Sequence, residues 1–253
     1  MAITREWDGA SYDRISGPME AMGLEVLERL DLQGDECVMD AGCGSGRITA
    51  ALRDRLPHGR VIAVDGSADM LTQARARVGD DPRVRIVHAD LATLDLGGDR
   101  CDAILSTATF HWIPDHPALL RCLHASLRPG GRMAAQCGGV GNIERVHHAA
   151  AVVAQEPPFA RHLDGWTGPW NFRDPAGMRD DLLTAGFDRA ECRLVPRPVV
   201  PEVPAEWFRT IVLGAHLAQL PPGLRDLFVN AVVARMPAPV TVDYVRLDID
   251  AVA

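Results

Sequence analysis

No stretch of the 253-residue chain approaches the roughly 18–20 consecutive apolar residues of a membrane-crossing helix. The first residues, MAITREWDGASYDR, are too charged and polar for a secretory signal. These two absences predict a cytoplasmic protein with no membrane partner. A basic excess is also missing: 26 Lys and Arg stand against 34 Asp and Glu, a formal charge of −8. Nucleic-acid backbones are gripped by clustered cations, so nucleic acid is not an expected partner. The six cysteines (Cys37, Cys43, Cys101, Cys122, Cys137, Cys192) form no C-x-x-C pair and no zinc-like spacing with histidine. They read as reduced thiols filling small core spaces, and no metal site is expected. Internal repeats and low-complexity tracts are absent as well. What is present is an ordinary hydrophobic fraction of 47% and enough length for a sizeable buried core.

Apolar periodicity divides the first half of the chain into alternating elements. Met19, Met22, Val26, Leu27 and Leu30 recur at helical spacing before Gly34. CVMDAGC reads as a buried strand, and Ile48, Ala51, Leu52 and Leu56 as a helix ended by Pro57. Arg60–Asp65 is a second strand, followed by a helix that Ser67 caps. Val84–Asp90 and Cys101–Thr107 are the third and fourth strands. A leucine-spaced helix over 119–127 then stops at RPGG, and Arg132–Cys137 is the fifth strand. Apolar strands alternating with helices predict a parallel sheet covered on both faces, a doubly wound α/β fold. Ligands of such sheets bind beyond the carboxyl ends of the strands. After Gly138 the pattern changes. A helix near 142–155 gives way to the Pro-, Gly- and Trp-rich cover segment EPPFARHLDGWTGPWNFRDPAG. A helix over 175–185, a strand ECRLVP, helices around 205–220 and 224–236, and an alternating edge strand VTVDYVRLDID complete the reading. One domain over 1–253 is expected. Residues 1–35 supply a lid and first helix, 36–140 the ligand-binding core, and 141–253 the cover, a helical cap and the last strands.

Gly42, Gly44 and Gly46 alternate in the turn after the first strand, where bare backbone permits a tight turn and close approach of a ligand. A dinucleotide fingerprint would want its third glycine at position 47, where Arg47 stands. Asp65 ends the second strand about 20 residues later, where a carboxylate can accept both hydroxyls of a ribose. Asp90 ends the third strand, placed to accept from an adenine amino group. Asp40, before the glycines, suits an ammonium and a sulfonium better than a pyrophosphate. Together these select S-adenosylmethionine (SAM), with the methionine and ribose portions against the glycine backbone.

The ordered motifs DAGCGSGRITAAL, VIAVDGSADML, IVHADL, FHWIPDH and LRPGGRMAAQ resemble those of class I SAM-dependent methyltransferases. FHWIPDH, with YDRIS, CGGVGN and DYVRLDIDA, is similar more narrowly to the trans-aconitate and juvenile-hormone-acid methyltransferase group. The resemblance implies a Rossmann-like, mostly parallel seven-stranded sheet with a reversed last strand. It also implies a monomer or homodimer acting on a small-molecule acceptor. It assigns Asp40, Gly42, Cys43, Gly44, Gly46, Asp65, Gly66, Met70, Asp90, Leu91 and Thr107 to the cofactor. Trp112 carries over as a residue holding the acceptor carboxylate, and His111 beside it either orients the acceptor or acts as a base.

Tyr12, Met19, Trp166 and Trp170 are the expected substrate-binding residues, with Trp7 and Tyr12 in a lid over the cofactor. Met19 stands where related sequences carry a glutamine. A thioether donates no hydrogen bond, so carboxyl methylation loses one expected anchor, and an apolar acceptor, or one held through Trp112 alone, gains credibility. His116 reads as the start of a helix. His147 and His148 are adjacent and diverge on a helix, so they read as packed or solvated and not as a metal pair. The predicted reaction is methylation of a small molecule, foremost at a carboxylate or hydroxyl oxygen. C- or N-methylation in a natural-product pathway and a non-catalytic SAM-binding regulator are the alternatives.

Overall fold

The computed structural model describes residues 17–253. Trp7 and Tyr12 lie outside the described residues. The chain opens with α1 (Gly17–Glu28) and then alternates β1 (Cys37–Ala41), α2 (Arg47–Asp54), β2 (Arg60–Asp65), α3 (Ala68–Val78) and β3 (Val84–His88). β4 (Cys101–Thr107), α4 (His116–Ser126) and β5 (Leu127–Gly138) follow. Side-chain caps start the helices where the sequence provides them. The Ser67 hydroxyl accepts from the Met70 N–H at 3.4 Å, and Asp115 Oδ1 accepts from the Ala118 N–H at 2.9 Å. His116, the first residue of α4, donates from Nε2 to the Phe110 carbonyl at 2.9 Å, which makes it an anchor of that helix start.

The sheet is seven-stranded with order β3-β2-β1-β4-β5-β7-β6, where β6 is Arg189–Pro196 and β7 is Val245–Val252. β1 to β5 run parallel, and β7 runs antiparallel to both of its neighbours. The implied reversed strand is therefore present. Side chains alternate along the central strands, so each strand feeds two cores. Met39, Ile62 and Ile104 pack with Leu119 and Leu123 on one face. Val38, Val61 and Ala103 pack with Leu27 and Leu52 on the other. The chain reverses its direction of strand placement between β1 and β4, so the crevice at their carboxyl ends is where an open α/β sheet takes a ligand.

Three local expectations are corrected. VTVDYVRLDID alternates like an edge strand, yet β7 lies between β5 and β6. Two of its acidic residues, Asp248 and Asp250, are matched by neighbouring cations. Arg29 pairs with Asp248 and Asp250, Arg193 reaches Asp248 at 3.1 Å, and the Gln136 amide donates to buried Asp248 at 2.7 Å. The helix over 119–127 ends one residue earlier, because Leu127 already pairs with Cys101 and RPGG forms an irregular start to β5. The expected helix over 205–220 is broken into α8 (Pro204–Trp207), a π-helical turn (Phe208–Val212) and α9 (Gly214–Ala218).

Beyond β5 lie α5 (Glu144–Ala154), a short α6 (Ala160–Leu163), α7 (Pro175–Ala185) and, after the π turn and α9, α10 (Pro222–Ala234). A separate apolar cluster holds the cap together: Val146, Ala150 and Val153 of α5 pack with Phe208, Phe228 and Val232. No helix among the described residues is long and apolar enough to cross a membrane.

Candidate active site

A cavity of about 1260 Å³ opens at the carboxyl ends of β1 to β4 and extends under the cover segment and cap. A single small ligand occupies a pocket of roughly 300–1,000 Å³, so this space accommodates a cofactor and a second molecule. Of the residues singled out from the sequence, Met19, Gly42, Gly44, Asp65, Gly66, Met70, Asp90, Leu91, Thr107, His111, Trp112, Trp166 and Trp170 line it. Asp40, Cys43 and Gly46 do not.

The glycine turn is pinned before any ligand arrives. The Gly42 and Cys43 N–H groups both donate to the Val64 carbonyl, at 2.8 and 3.0 Å. The three glycines then serve three separate needs. All have positive φ, but a Cβ on Gly42 would sit 2.1 Å from Thr109 Oγ1, and one on Gly46 would sit 2.9 Å from Ala74 Cα. Only at Gly44, with φ +53, would a Cβ meet nothing within 4 Å. The expectation that all three are bare for the ligand is thus corrected: two are bare for the protein's own packing, and Gly44 faces the cavity.

Asp65 ties this turn to the end of β2. Its Oδ2 accepts from the Gly44 N–H at 2.9 Å and its Oδ1 from the Ser67 N–H at 2.8 Å. Burial raises its pKa, against the lowering effect of those N–H groups. Each carboxylate oxygen has a second lone pair, so both remain able to accept from a ligand hydroxyl. Asp90 is exposed at the end of the third strand segment, with Oδ1 held by the Ala92 N–H at 2.9 Å.

Asp40 stands behind the turn, 1% exposed, so direct contact with a ligand is corrected to support from beneath. Its Oδ2 accepts from the Thr49 hydroxyl at 2.6 Å, while Oδ1 is buried with no hydrogen-bond partner among the described residues. Burial pushes its pKa up to about 7, the Thr49 bond opposing and the Asp65 charge adding. A buried carboxyl with an unsatisfied oxygen, backing an open glycine and a carboxylate with spare lone pairs, fits a ligand that brings hydroxyls and positive charge. Those are the groups of SAM.

His111 and Trp112 sit in a single 3-10 turn, Phe110–Trp112, directly after β4. His111 is buried, and its Nδ1 accepts from the Gly138 N–H at 3.1 Å. An accepting Nδ1 requires the proton on Nε2, so the imidazole is a hydrogen-bond donor there. Burial, with Arg246 and His116 adding, lowers its pKa to about 3. Of the two roles expected for His111, orienting the acceptor fits this geometry. The basic lone pair is already taken by the backbone. The Trp112 ring lies 5.1 Å from the His111 ring and 6.1 Å from Trp170.

Arg246 is the residue that sequence reasoning missed. It is 4% exposed, lines the cavity from β7, and places Nη2 3.0 Å from the Met19 sulfur and its guanidinium 4.6 Å from the Tyr244 ring centre. The position that lacks a donor in the sequence is therefore filled by a cation from 227 residues away. In DYVRLDID, Arg246 alternates with Tyr244, Asp248 and Asp250 in the polar row, and its burial is unreadable without the strand's neighbours. Phe172 also lines the cavity, its ring 5.7 Å from that of His111. His147 packs against Trp170 at 4.4 Å and His148 is exposed, as their adjacency on α5 implied.

Comparison with known proteins places this geometry among relatives. A family model for a methyltransferase domain matches residues 38–131. The chain is 30% identical over 247 residues to a trans-aconitate 2-methyltransferase of Variovorax paradoxus, covering 96% of this chain and 94% of the relative. It is 32% identical over 234 residues to a protein of the same name from Methylobacterium radiotolerans, covering 89% and 87%. Among solved structures, phosphoethanolamine N-methyltransferase 2 of Haemonchus contortus in complex with SAM superposes with a TM-score of 0.66 at 18% identity. That match covers 96% of this chain and 56% of that one, and it shows a shared fold.

Proposed function

The chain belongs to the SAM-dependent methyltransferases, and on that premise we propose that it methylates a carboxylate oxygen of a small-molecule acid. The observation that carries this reading is Arg246, a buried cation in the cavity wall beside His111 and Met19. A guanidinium in a low-dielectric wall favours an anionic partner and gives it a fixed orientation. Bound SAM supplies a methyl group on a sulfonium, whose transfer to a carboxylate oxygen breaks the C–S bond and cancels both charges, leaving an ester and a thioether.

The protein's part is alignment and exclusion of water. Arg246 and the His111 Nε2–H fix the carboxylate, Trp112 and the cover segment close over it, and Asp65, Asp90, Gly44 and Met70 fix the cofactor. No proton has to move, which agrees with a neutral His111 whose pKa lies near 3. A phenol or alcohol would need a base at this position. The same reading treats the chain as one domain working in the cytoplasm, as a monomer or homodimer, on a free small molecule and not on nucleic acid or membrane. The net charge of −8 supports that choice of partner.

The test is incubation with methyl-labelled SAM and a panel of small acids, scoring base-labile methyl esters. Arg246→Met should raise the acceptor KM by at least about tenfold, from loss of a charge-assisted bond worth ~1.5–3 kcal/mol, with SAM affinity retained. Products stable to base, or an Arg246→Met enzyme with unchanged acceptor KM, would refute carboxyl methylation at this site.

A further inference from the structure

The loop between β5 and α5 brings one more polar side chain to the cavity wall. We propose that Asn142 is an acceptor-binding residue, whose amide N–H groups hold the carboxylate that receives the methyl group. This rests on the carboxyl-methylation reading and adds a neutral donor to the same site.

Asn142 is 4% exposed and lines the cavity. Its Oδ1 accepts from the Val245 N–H at 3.0 Å, and this fixes the orientation of the amide, because a backbone N–H bonds only to the oxygen end. Nδ2 is then the end left over. No described residue accepts from it, yet it is not among the atoms sealed in protein without a partner, so it opens on the cavity. The loop that carries it is tied down at several points. The Gly139 N–H donates to the Val245 carbonyl, the Asn142 N–H to the Gly139 carbonyl and the Ile143 N–H to the Asp243 carbonyl, each at 3.0 Å. The amide is therefore in place before any ligand arrives, and little ordering is needed on binding. A secluded donor without a protein partner is costly unless water or a ligand takes it, so an amide kept in this way suits a ligand that brings oxygen.

Position in the sheet decides which ligand that is. The acids and the open glycine given to the cofactor follow β3, β2 and β1, whereas Asn142 follows β5, three strand spacings or about 14 Å from β2. It stands instead with His111, and Gly138 joins the two. The Gly138 N–H donates to His111 Nδ1 at 3.1 Å, while a Cβ at Gly138 would sit 2.8 Å from Asn142 Nδ2 and 2.7 Å from Phe172 Cε1. The bare Cα at 138 is what lets the amide and the ring close over that backbone. A carboxylate held here accepts from a neutral donor beside an apolar ring, where hydrogen bonds to an ionised oxygen are stronger than in water.

The test compares wild type with Asn142→Asp and Asn142→Ser, using labelled SAM and whichever of trans-aconitate, benzoate and hexanoate is methylated fastest, or the best acid of the wider panel should all of these fail. Asn142→Asp keeps the size of the side chain and an oxygen for the Val245 N–H, but sets an ionised oxygen where the donor was. At about pH 8 its kcat/KM relative to wild type should fall at least about a hundredfold, with SAM affinity and melting temperature near wild type. Between about pH 8 and pH 6 the protonated fraction of the introduced carboxyl rises, and its O–H donates as the amide does, so the same ratio should recover at least about tenfold. A side chain that merely plugs the end of β7 would show no such recovery. Asn142→Ser is too short to reach the acceptor; it should raise the acceptor KM at least about tenfold, and it supplies the readout should Asn142→Asp fail to fold. Unchanged acceptor kinetics in either variant, a loss that does not recover at lower pH, or a loss of SAM affinity in step with kcat/KM would overturn the assignment of Asn142 and leave carboxyl methylation standing. Methyl ester from no acid of either set would overturn both.

Discussion

The sharpest prediction concerns the three glycines, because the structure assigns them different jobs that one substitution each can separate. Alanine at Gly44 places a methyl in open space, with nothing within 4 Å. Its cost to the ligand-free fold is then only the left-handed backbone, about 1 kcal/mol, or roughly 2–4 °C in melting temperature for a chain of this size. Alanine at Gly42 meets Thr109 Oγ1 at 2.1 Å and Cγ2 at 2.4 Å. Thr109 is held by hydrogen bonds to the Thr107 and Gly42 carbonyls at 2.9 and 3.3 Å, so it yields only by breaking them. Overpacking of this kind adds ~1–3 kcal/mol to the backbone term, which predicts a fall of roughly 5–15 °C. Gly46→Ala presses on the backbone of α3 at Ala74 and belongs with Gly42→Ala. SAM affinity should show the opposite order per degree of stability lost. Gly44→Ala should weaken binding at least about tenfold despite a nearly intact fold, since the methyl occupies the cofactor's approach. Thermal unfolding without ligand and calorimetric titration of SAM measure both quantities on the same samples. A Gly44→Ala protein that binds SAM like wild type, or a Gly42→Ala protein as stable as Gly44→Ala, would refute the assignment.

Asp40→Asn should change the pH dependence of stability. The native carboxyl titrates near 7, above its unfolded value, so between about pH 4 and 7 the unfolded chain releases a proton that the native state keeps. Wild-type stability relative to the variant should therefore fall as pH rises through that window and level off above it. The change is on the order of a few kcal/mol, read from urea midpoints at several pH values. Asp65→Asn leaves one acceptor oxygen for the Gly44 and Ser67 N–H groups, so both melting temperature and SAM affinity should drop, by ~1.5–3 kcal/mol for the lost charge-assisted bond; unchanged calorimetric affinity would count against the ribose assignment. His111→Phe should lower kcat/KM for the acceptor by about tenfold or more, while His111→Asn, which can both accept from Gly138 and donate to the cavity, should retain most of it. Because His111 stays neutral above its pKa of about 3, kcat/KM should be flat from roughly pH 6 to 9, and a rising limb near pH 6.5 would contradict the donor role.

Features that depend on a few neighbouring residues were legible in the sequence. The strand Arg60–Asp65, the strand Cys101–Thr107 and the helix Pro175–Ala185 occupy the residues expected of them, because apolar runs and caps act over single turns. The acids after β2 and β3 and the glycine after β1 face one cavity for the same reason: parallel strands bring their ends to one edge. Contacts across the topology were not legible. Alternation in VTVDYVRLDID has the period of an edge strand, and only the insertion of β7 between β5 and β6 shows why its charges are tolerated.

Local chemistry in the sequence thus determined the sheet, the cofactor edge and the aromatic cover, since periodicity, capping and turn geometry are short-ranged. Tertiary structure decided which glycine leaves open space toward the cavity, that the Gly138 N–H holds Nδ1 of His111, and that Arg246 stands beside Met19. Each of these joins residues far apart in the chain, and the folded sheet alone fixes such distances.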